Sequence, residues 1–293
     1  MFYNFLRVKL NNNKINVKKM DELKTRIKPY EKPENIRYPN NEISIDVRDL
    51  KKYFRGKKGY DDVKAVDGIS FQVKSGELFG FLGPNGAGKT TTIQMLIGLL
   101  KPTDGTALVN GYDIHEDLPN IKELIGVCPQ EPAVFKQLSG KENIALFGNL
   151  HLMPKDEIKR RTKTLLNILD LARASKRKAK GYSGGMLRQL NLIIALIHDP
   201  MILFLDEPTI GMDPRVRRKT WEFIGSLKQV NKTIFLTTHY IEEAEALCDR
   251  VAIIDYGELL DIGSPKALIE KYQSNNLEGV FMKITGRRIM EGI

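Results

Sequence analysis

The chain has 293 residues, 46 Lys and Arg against 36 Asp and Glu, and a formal charge of +10. That length holds one large domain, or a domain with an appendage. A composition of 42% hydrophobic and 28% charged residues excludes the disordered and fibrous classes. Two cysteines, Cys128 and Cys248, with no CxxC or Cys/His cluster, exclude a disulfide scaffold and a zinc centre.

No uninterrupted apolar run reaches the ~18 residues of a spanning helix. The best, Leu192 to Leu205, is broken by His198, Asp199 and Pro200. The N-terminus (MFYNFLRVKL) lacks a long apolar core and a small-residue cleavage site, so a reducing cytosol is expected rather than secretion. Residues 1–42 hold ten Lys/Arg and five Asp/Glu, half of the excess charge. They read as a flexible basic extension. Nucleic acid, an anionic membrane surface and a plain solvated face all fit such a balance; the solvated face is the commoner case, and no nucleic-acid partner is expected.

The alternation Ile43, Ile45, Val47 starts a strand, and Val66, Ile69, Phe71, Val73 a second. Leu78 to Leu82 is a short apolar run ending before glycine, as a buried strand would be. Short apolar runs then alternate with helical patterns through Leu268, the pattern of an α/β fold with a largely parallel sheet. Residues 43–73 and 106–114 read as a small antiparallel layer beside it. Residues 140–171, with Ile158, Leu165 and Leu169 at helical spacing, read as a helical subdomain inserted in the core.

Residues 83–90, Gly83-Pro84-Asn85-Gly86-Ala87-Gly88-Lys89-Thr90, fit G-x-x-x-x-G-K-[ST] between a strand and an apolar helix bearing Ile93, Leu96, Ile97 and Leu100. Such a loop turns backbone N–H groups onto phosphate oxygens, and the helix N-terminus adds a positive dipole end. Lys89 is expected to reach the β- and γ-phosphates, Thr90 to ligate Mg²⁺, and Thr91 to follow in the same turn. Met201 to Leu205 make a buried strand that ends in Asp206 and Glu207, where α/β sheets bind ligands. Asp206 is expected to hold Mg²⁺ through water. Glu207 is placed to orient an attacking water or accept its proton.

Residues 182–186, Tyr-Ser-Gly-Gly-Met, precede an apolar helix. Alone they are only a helix cap. Downstream of a phosphate loop and about 20 residues before Asp206-Glu207, they make residues 43 to about 272 resemble the ATP-binding subunit of ABC transporters. The fold this implies is a P-loop NTPase, a RecA-like parallel-sheet core with an antiparallel β layer and an inserted helical signature subdomain. The resemblance assigns 43–272 to the ATP-binding domain with a helical insert at about 131–185, and leaves 273–293 as a short C-terminal tail.

It also implies residue roles. Phe54 would stack on adenine, with Tyr53 as fallback. Gln130, in Val-Cys-Pro-Gln, would join Mg²⁺ and the nucleotide to a transmembrane partner. Gly211-Met212-Asp213 would form the D-loop, and His239 would contact the γ-phosphate as a switch histidine. Ser183, Gly184 and Gly185 would close on the γ-phosphate held by a second nucleotide-binding subunit, identical or different, so that ATP holds two copies together. Tyr182 and Met186 depart from the usual LSGGQ. With Ala65 to Phe71 and Gly80 to Gly86, and with Val280 to Arg287, they look like the branch of daunorubicin-resistance and other ABC-2-type exporters.

The implied protein is a peripheral ATPase on the cytoplasmic face of a membrane, driving a separate permease, with ATP and Mg²⁺ as cofactors. The basic run Arg173, Lys176, Arg177, Lys178, Lys180 faces headgroups or the partner, or is a solvated loop. The alternative is a soluble ABC ATPase. With 53 positions between Gln130 and Ser183, there is no room for the long coiled-coil arm of chromosome-maintenance relatives. An iron–sulfur-assembly type stays open.

Overall fold

The structure is a computed structural model that describes residues 42–56 and 61–286. The basic extension read at 1–42 therefore lies, but for Glu42, outside the described residues.

Strands β1 (Ile43–Phe54), β2 (Val63–Lys74), β4 (Asp104–Val109) and β5 (Tyr112–Asp113) form an antiparallel sheet in the order β2-β1-β4-β5. The second sheet runs β10-β9-β3-β8-β7-β6, built from β3 (Leu78–Leu82), β6 (Ile125–Cys128), β7 (Ile202–Asp206), β8 (Thr233–Thr238), β9 (Arg250–Asp255) and β10 (Glu258–Gly263). All its neighbours pair in parallel except the hairpin β9–β10. That hairpin turns at Tyr256 and Gly257, both at positive φ, as a two-residue turn matching the strand twist requires. Every residue of β3, β7 and β8 is buried. Such strands must be continuously apolar because both faces are covered.

Phe71 of β2 joins the two sheets. Its ring lies 5.5 Å from Phe79 and Phe81 of β3 and 5.9 Å from Phe235 of β8, and Phe204 of β7 completes the cluster 5.7 Å from Phe235. Burying each such ring contributes ~1.5–3 kcal/mol before packing terms are added.

Helix α1 (Lys89–Leu96) follows β3 and ends earlier than the apolar spacing through Leu100 suggested. Helix α2 (Leu118–Leu124) leads into β6. The expected helical insert is present as α3 (Gly140–Leu150) and α4 (Lys155–Ile168). Ser139 and Glu142 form a reciprocal capping box that starts α3. The chain then enters α5 (Gly184–Leu196), α6 (Pro214–Leu227) after β7, α7 (Ile241–Leu247) after β8, and α8 (Pro265–Lys271).

The segment read as a tail is helical over α9 (Leu277–Thr285). Leu277, Val280 and Phe281 are fully buried, and the Leu277 N–H donates to Glu245 of α7 at 3.3 Å. Their i, i+3, i+4 spacing gives the short helix one apolar face, and packing against the domain supplies the stability that nine isolated residues lack. Residues 287–293 of that tail lie outside the described residues.

Candidate active site

Four neighbouring parallel strands end on one side of the sheet. β3 leads into residues 83–88, β6 into Gln130, β7 into Asp206 and Glu207, and β8 into His239. Open α/β sheets bind ligands beyond the carboxyl ends of their strands, and topology alone brings these segments together there.

The glycine loop is held by backbone constraints. Gly88 caps α1 at φ +102°, and a Cβ there would come within 2.3 Å of the Ala65 carbonyl. A Cβ on Gly83 would stand 2.3 Å from the Ile254 carbonyl. Neither position tolerates a side chain without backbone movement. Asn85 and Gly86 are exposed, Pro84, Thr90 and Thr91 half-buried, and Ala87 buried. Lys89 is 5% exposed, and its ammonium donates to the carbonyls of Gly83 at 2.8 Å and Pro84 at 3.0 Å. Burial pulls its pKa down, against the opposing pull of Glu207 and Asp206.

On β7, Asp206 Oδ2 accepts from Thr90 Oγ1 at 2.8 Å, and Oδ1 accepts from Thr237 Oγ1. Glu207 is the focus of the site. Its Oε1 lies 3.3 Å from Lys89 Nζ and 3.0 Å from His239 Nδ1, and its Oε2 accepts from Gln130 Nε2 at 3.4 Å. The His239 approach is close without being a regular hydrogen bond. Burial by itself would push the Glu207 carboxyl up. His239 and the charge of Lys89 outweigh it and hold the group below the ordinary carboxylate value. Glu207 has φ +49°, in the left-handed region that non-glycine residues avoid. Its N–H donates to the Thr237 carbonyl at 3.1 Å, which fixes the turn. Strain of this kind, kept at a cost of ~1–3 kcal/mol, is typical of functional positions.

Lys89, Thr90, Gln130, Asp206, Glu207 and His239 are thus brought together. Among the described residues, no hydrogen bond or ion pair joins Phe54, Ser183, Gly184, Gly185 or Asp213 to them. Ser183 caps α5, its hydroxyl accepting from the Met186 N–H at 3.3 Å, with Gly184 exposed and Gly185 half-buried behind it. Asp213 caps α6 by accepting from the Val216 N–H at 3.0 Å. Phe54 ends β1, a residue 42% exposed whose ring lies under Lys52 Nζ. Tyr53 is engaged elsewhere: its hydroxyl donates to Asp67, and Lys64 lies over its ring. In the basic run, Arg177 stacks on Tyr182 and reaches the Met186 sulfur at 3.7 Å, so it braces the segment around the signature.

Sequence reading missed the residues that hold the Gln130 segment. Arg188 Nη1 donates to the Gln130 carbonyl at 2.9 Å. Asn191, three residues on along α5, accepts from the Ala133 N–H at 3.1 Å and donates to the Pro129 carbonyl at 3.1 Å. The available signal was polar residues interrupting an apolar helix at i, i+3 spacing, which puts both on one face. The thiols take no part. Burial pushes Cys128 up to about 12 and Cys248 well above its ordinary value.

A glycine loop opening a helix, an Asp-Glu pair on a nearby strand and a histidine on the strand between define a nucleotide hydrolase of the P-loop class. A family model described as ABC transporter matches residues 66–210. The linearmycin resistance ATP-binding protein LnrL of Bacillus subtilis (strain 168) is 42% identical over 215 residues, 73% of this chain and 69% of that protein. The doxorubicin resistance ATP-binding protein DrrA of Mycobacterium tuberculosis is 40% identical over 230 residues, 78% of this chain and 68% of that one. ABC transporter A family member 7 of Arabidopsis thaliana is 44% identical over 231 residues, which span 25% of its length. Among solved structures, an ATP-binding subunit of an ABC transporter superposes with a TM-score of 0.72 at 26% identity, covering 82% of this chain and 99% of that one. The chain belongs to the ABC transporter family of ATP-binding proteins, in the drug-resistance branch that the signature resembled. It is an ATPase.

Proposed function

We propose that this chain is the ATP-hydrolysing subunit of an ABC exporter, closing as a dimer around two Mg-ATP and moving a separate membrane permease. The observation that carries the reading is the convergence of Lys89, Gln130 and His239 on the Glu207 carboxylate, with the Ser183 signature exposed outside that cluster. A site that gathers its hydrolytic side chains in one chain while its anion-binding signature stands apart invites completion by the signature of a second copy.

In this reading the backbone N–H groups of residues 85–90 hold the phosphates, Lys89 exchanges its carbonyl partners for the β- and γ-oxygens, and Phe54 stacks on adenine. Glu207 is ionised at neutral pH, as its lowered pKa requires. It orients the attacking water and takes its proton, while His239 keeps the carboxylate aimed and contacts the γ-phosphate. The Thr90 hydroxyl, the Asp206 carboxylate and the exposed Gln130 amide are hard oxygen donors. A hydroxyl already bonded to a carboxylate at 2.8 Å suits Mg²⁺, which takes few protein ligands and fills its shell with water and phosphate. The ion would neutralise charge on the phosphates. Asp213 and the Gly211–Asp213 turn would meet the second copy.

No helix among the described residues is long and apolar enough to cross a membrane. Phe135, Leu150 and Leu152 expose apolar surface on and beside the helical insert, a surface suited to a partner's helices on the cytoplasmic side of a membrane. The names of the resistance relatives support export. A Clostridium perfringens protein described as part of an ABC transporter complex, 27% identical with a TM-score of 0.68, supports assembly with other subunits. The test is a pull-down of the Glu207→Gln protein with Mg-ATP from detergent-solubilised native membranes. A stoichiometric polytopic membrane protein is expected. Recovery of soluble partners alone would overturn the transporter reading.

A further inference from the structure

Glu243, in the first turn of α7, is fully buried, and the hydrogen-bond partners of its carboxyl are none of the residues assigned to ATP. Its Oε1 accepts two hydrogen bonds, from Thr209 Oγ1 at 2.8 Å and from Trp221 Nε1 at 2.8 Å, and the Thr238 hydroxyl also faces the carboxyl. Thr209 lies two residues after Glu207 and four before Asp213. Thr238 immediately precedes His239. Trp221 belongs to α6. One carboxyl therefore joins the segment after Glu207, the approach to His239 and the helix that follows the D-loop.

The same helix grips both segments a second time. Arg217, one turn before Trp221 on α6, donates from Nη2 to the Met212 carbonyl at 3.3 Å and lays its guanidinium 4.5 Å from the Tyr240 ring centroid. Residues at i and i+4 share a helix face. That face carries two clamps, each spanning the 207–213 segment and the 238–243 segment.

A merely structural role fits this chemistry poorly. Burying a carboxyl is costly, and an aliphatic side chain would fill the space without that cost. The cost is not fully recovered here: Glu243 Oε2 and Arg217 Nε make no hydrogen bond. What a double acceptor supplies and an aliphatic group does not is a defined separation between two segments.

We propose that Glu243 is a positioning residue for ATP hydrolysis: through Thr209 and Trp221 it fixes the segment after Glu207 against the segment carrying His239, and so sets their contact. This rests on the assignment of Glu207 and His239 to hydrolysis made above. Thr209 sits between the strained Glu207 and the D-loop, so a displacement of the D-loop is passed to the site through the same two bonds.

The test uses the full chain and steady-state phosphate release with Mg-ATP. Glu243→Leu keeps the volume and removes the acceptor. Its kcat is expected to fall about tenfold or more, inside the ~10²-fold that a misplacement of ~1 Å can cost, with KM for ATP and the melting midpoint close to the parent's. Glu243→Gln retains an acceptor oxygen for both donors and is expected to restore kcat. Adding Trp221→Phe to Glu243→Leu is expected to cost nothing further, since both remove one shared bond. Parent-like kcat in Glu243→Leu, or a proportionate loss of kcat, ATP affinity and melting midpoint, overturns the proposal. If Glu243→Leu does not fold, Trp221→Phe alone decides: lowered kcat at unchanged KM supports the proposal, and parent kcat overturns it. Glu207→Gln separates the two levels. If it is inactive while Glu243→Leu and Trp221→Phe turn over like the parent, only the positioning proposal fails. If Glu207→Gln is active, the site assignment fails and takes this proposal with it.

Discussion

His239 Nδ1 lies 3.0 Å from Glu207 Oε1, and the two residues extend from adjacent parallel strands, β8 and β7. The strand register, with Asp206 paired to Thr237, sets the two chain exits side by side. The pair is therefore a consequence of sheet topology before it is one of side-chain chemistry, and what surrounds it decides what it can do.

Lys89 is the first neighbour to test. Its ammonium is satisfied by the carbonyls of Gly83 and Pro84 and by Glu207. Lys89→Ala removes the cation that meets the phosphates and also exposes Glu207 to burial without its compensating charge. Equilibrium titration with a fluorescent ATP analogue should show ATP affinity lower by about tenfold or more, the ~1.5–3 kcal/mol of a charge-assisted hydrogen bond. Unchanged affinity would count against the phosphate role.

Gly88 tests the loop's backbone. At φ +102° and with the Ala65 carbonyl 2.3 Å from an added Cβ, Gly88→Ala cannot keep both the turn and the neighbouring strand in place. A lowered melting midpoint is expected, equivalent to ~1–3 kcal/mol of strain, with loss of nucleotide binding. A variant that melts and binds like the parent would show the loop to be plastic.

Phe54 and Tyr53 separate the two candidates for adenine. Tyr53 is bonded to Asp67, whereas the Phe54 ring is exposed. Phe54→Ala should weaken ATP binding by roughly tenfold, as loss of a base–aromatic stack worth ~1–3 kcal/mol implies. Tyr53→Phe should leave binding unchanged. Calorimetric titration of both variants gives the comparison, and the reverse pattern would move the role to Tyr53.

The phosphate loop, the Asp206-Glu207 strand end and the signature cap were all legible in the sequence, because each is a local pattern whose chemistry depends on neighbours in the chain. The buried strands read at Leu78–Leu82 and Met201–Leu205 were legible for the same reason. What was not legible depends on packing. Glu207 takes φ +49° because Thr237 on the next strand holds its N–H, and no local signal announces that. Arg188 and Asn191 support the Gln130 segment from a helix far along the chain. Helix α9 read as a tail because nine residues carry too little periodicity to declare a helix without the surface of α7 to dock on.

The buried Glu243 gives a pH-dependent prediction. Burial raises its carboxyl pKa, and the hydroxyl and indole donors and Arg217 offset this only in part. A carboxyl whose pKa is raised by folding contributes stability that is fully present below its unfolded pKa and lost as pH rises through its folded one. Glu243→Gln stays neutral throughout and removes that loss. Melting midpoints measured from about pH 4.5 to 8 should fall less with rising pH in the variant than in the parent, starting from the ordinary Glu pKa of ~4.3. Parallel profiles would mean that Glu243 titrates as it does in the unfolded chain.

The most direct measurement is phosphate release at saturating Mg-ATP by the parent and by Glu207→Gln, with ATP affinity determined on both. The account predicts a parent that turns over and a variant lower by about 10²-fold or more, as loss of a positioned general base costs, that still binds ATP with affinity close to the parent's. A Glu207→Gln protein that hydrolyses ATP at the parent's rate would contradict it.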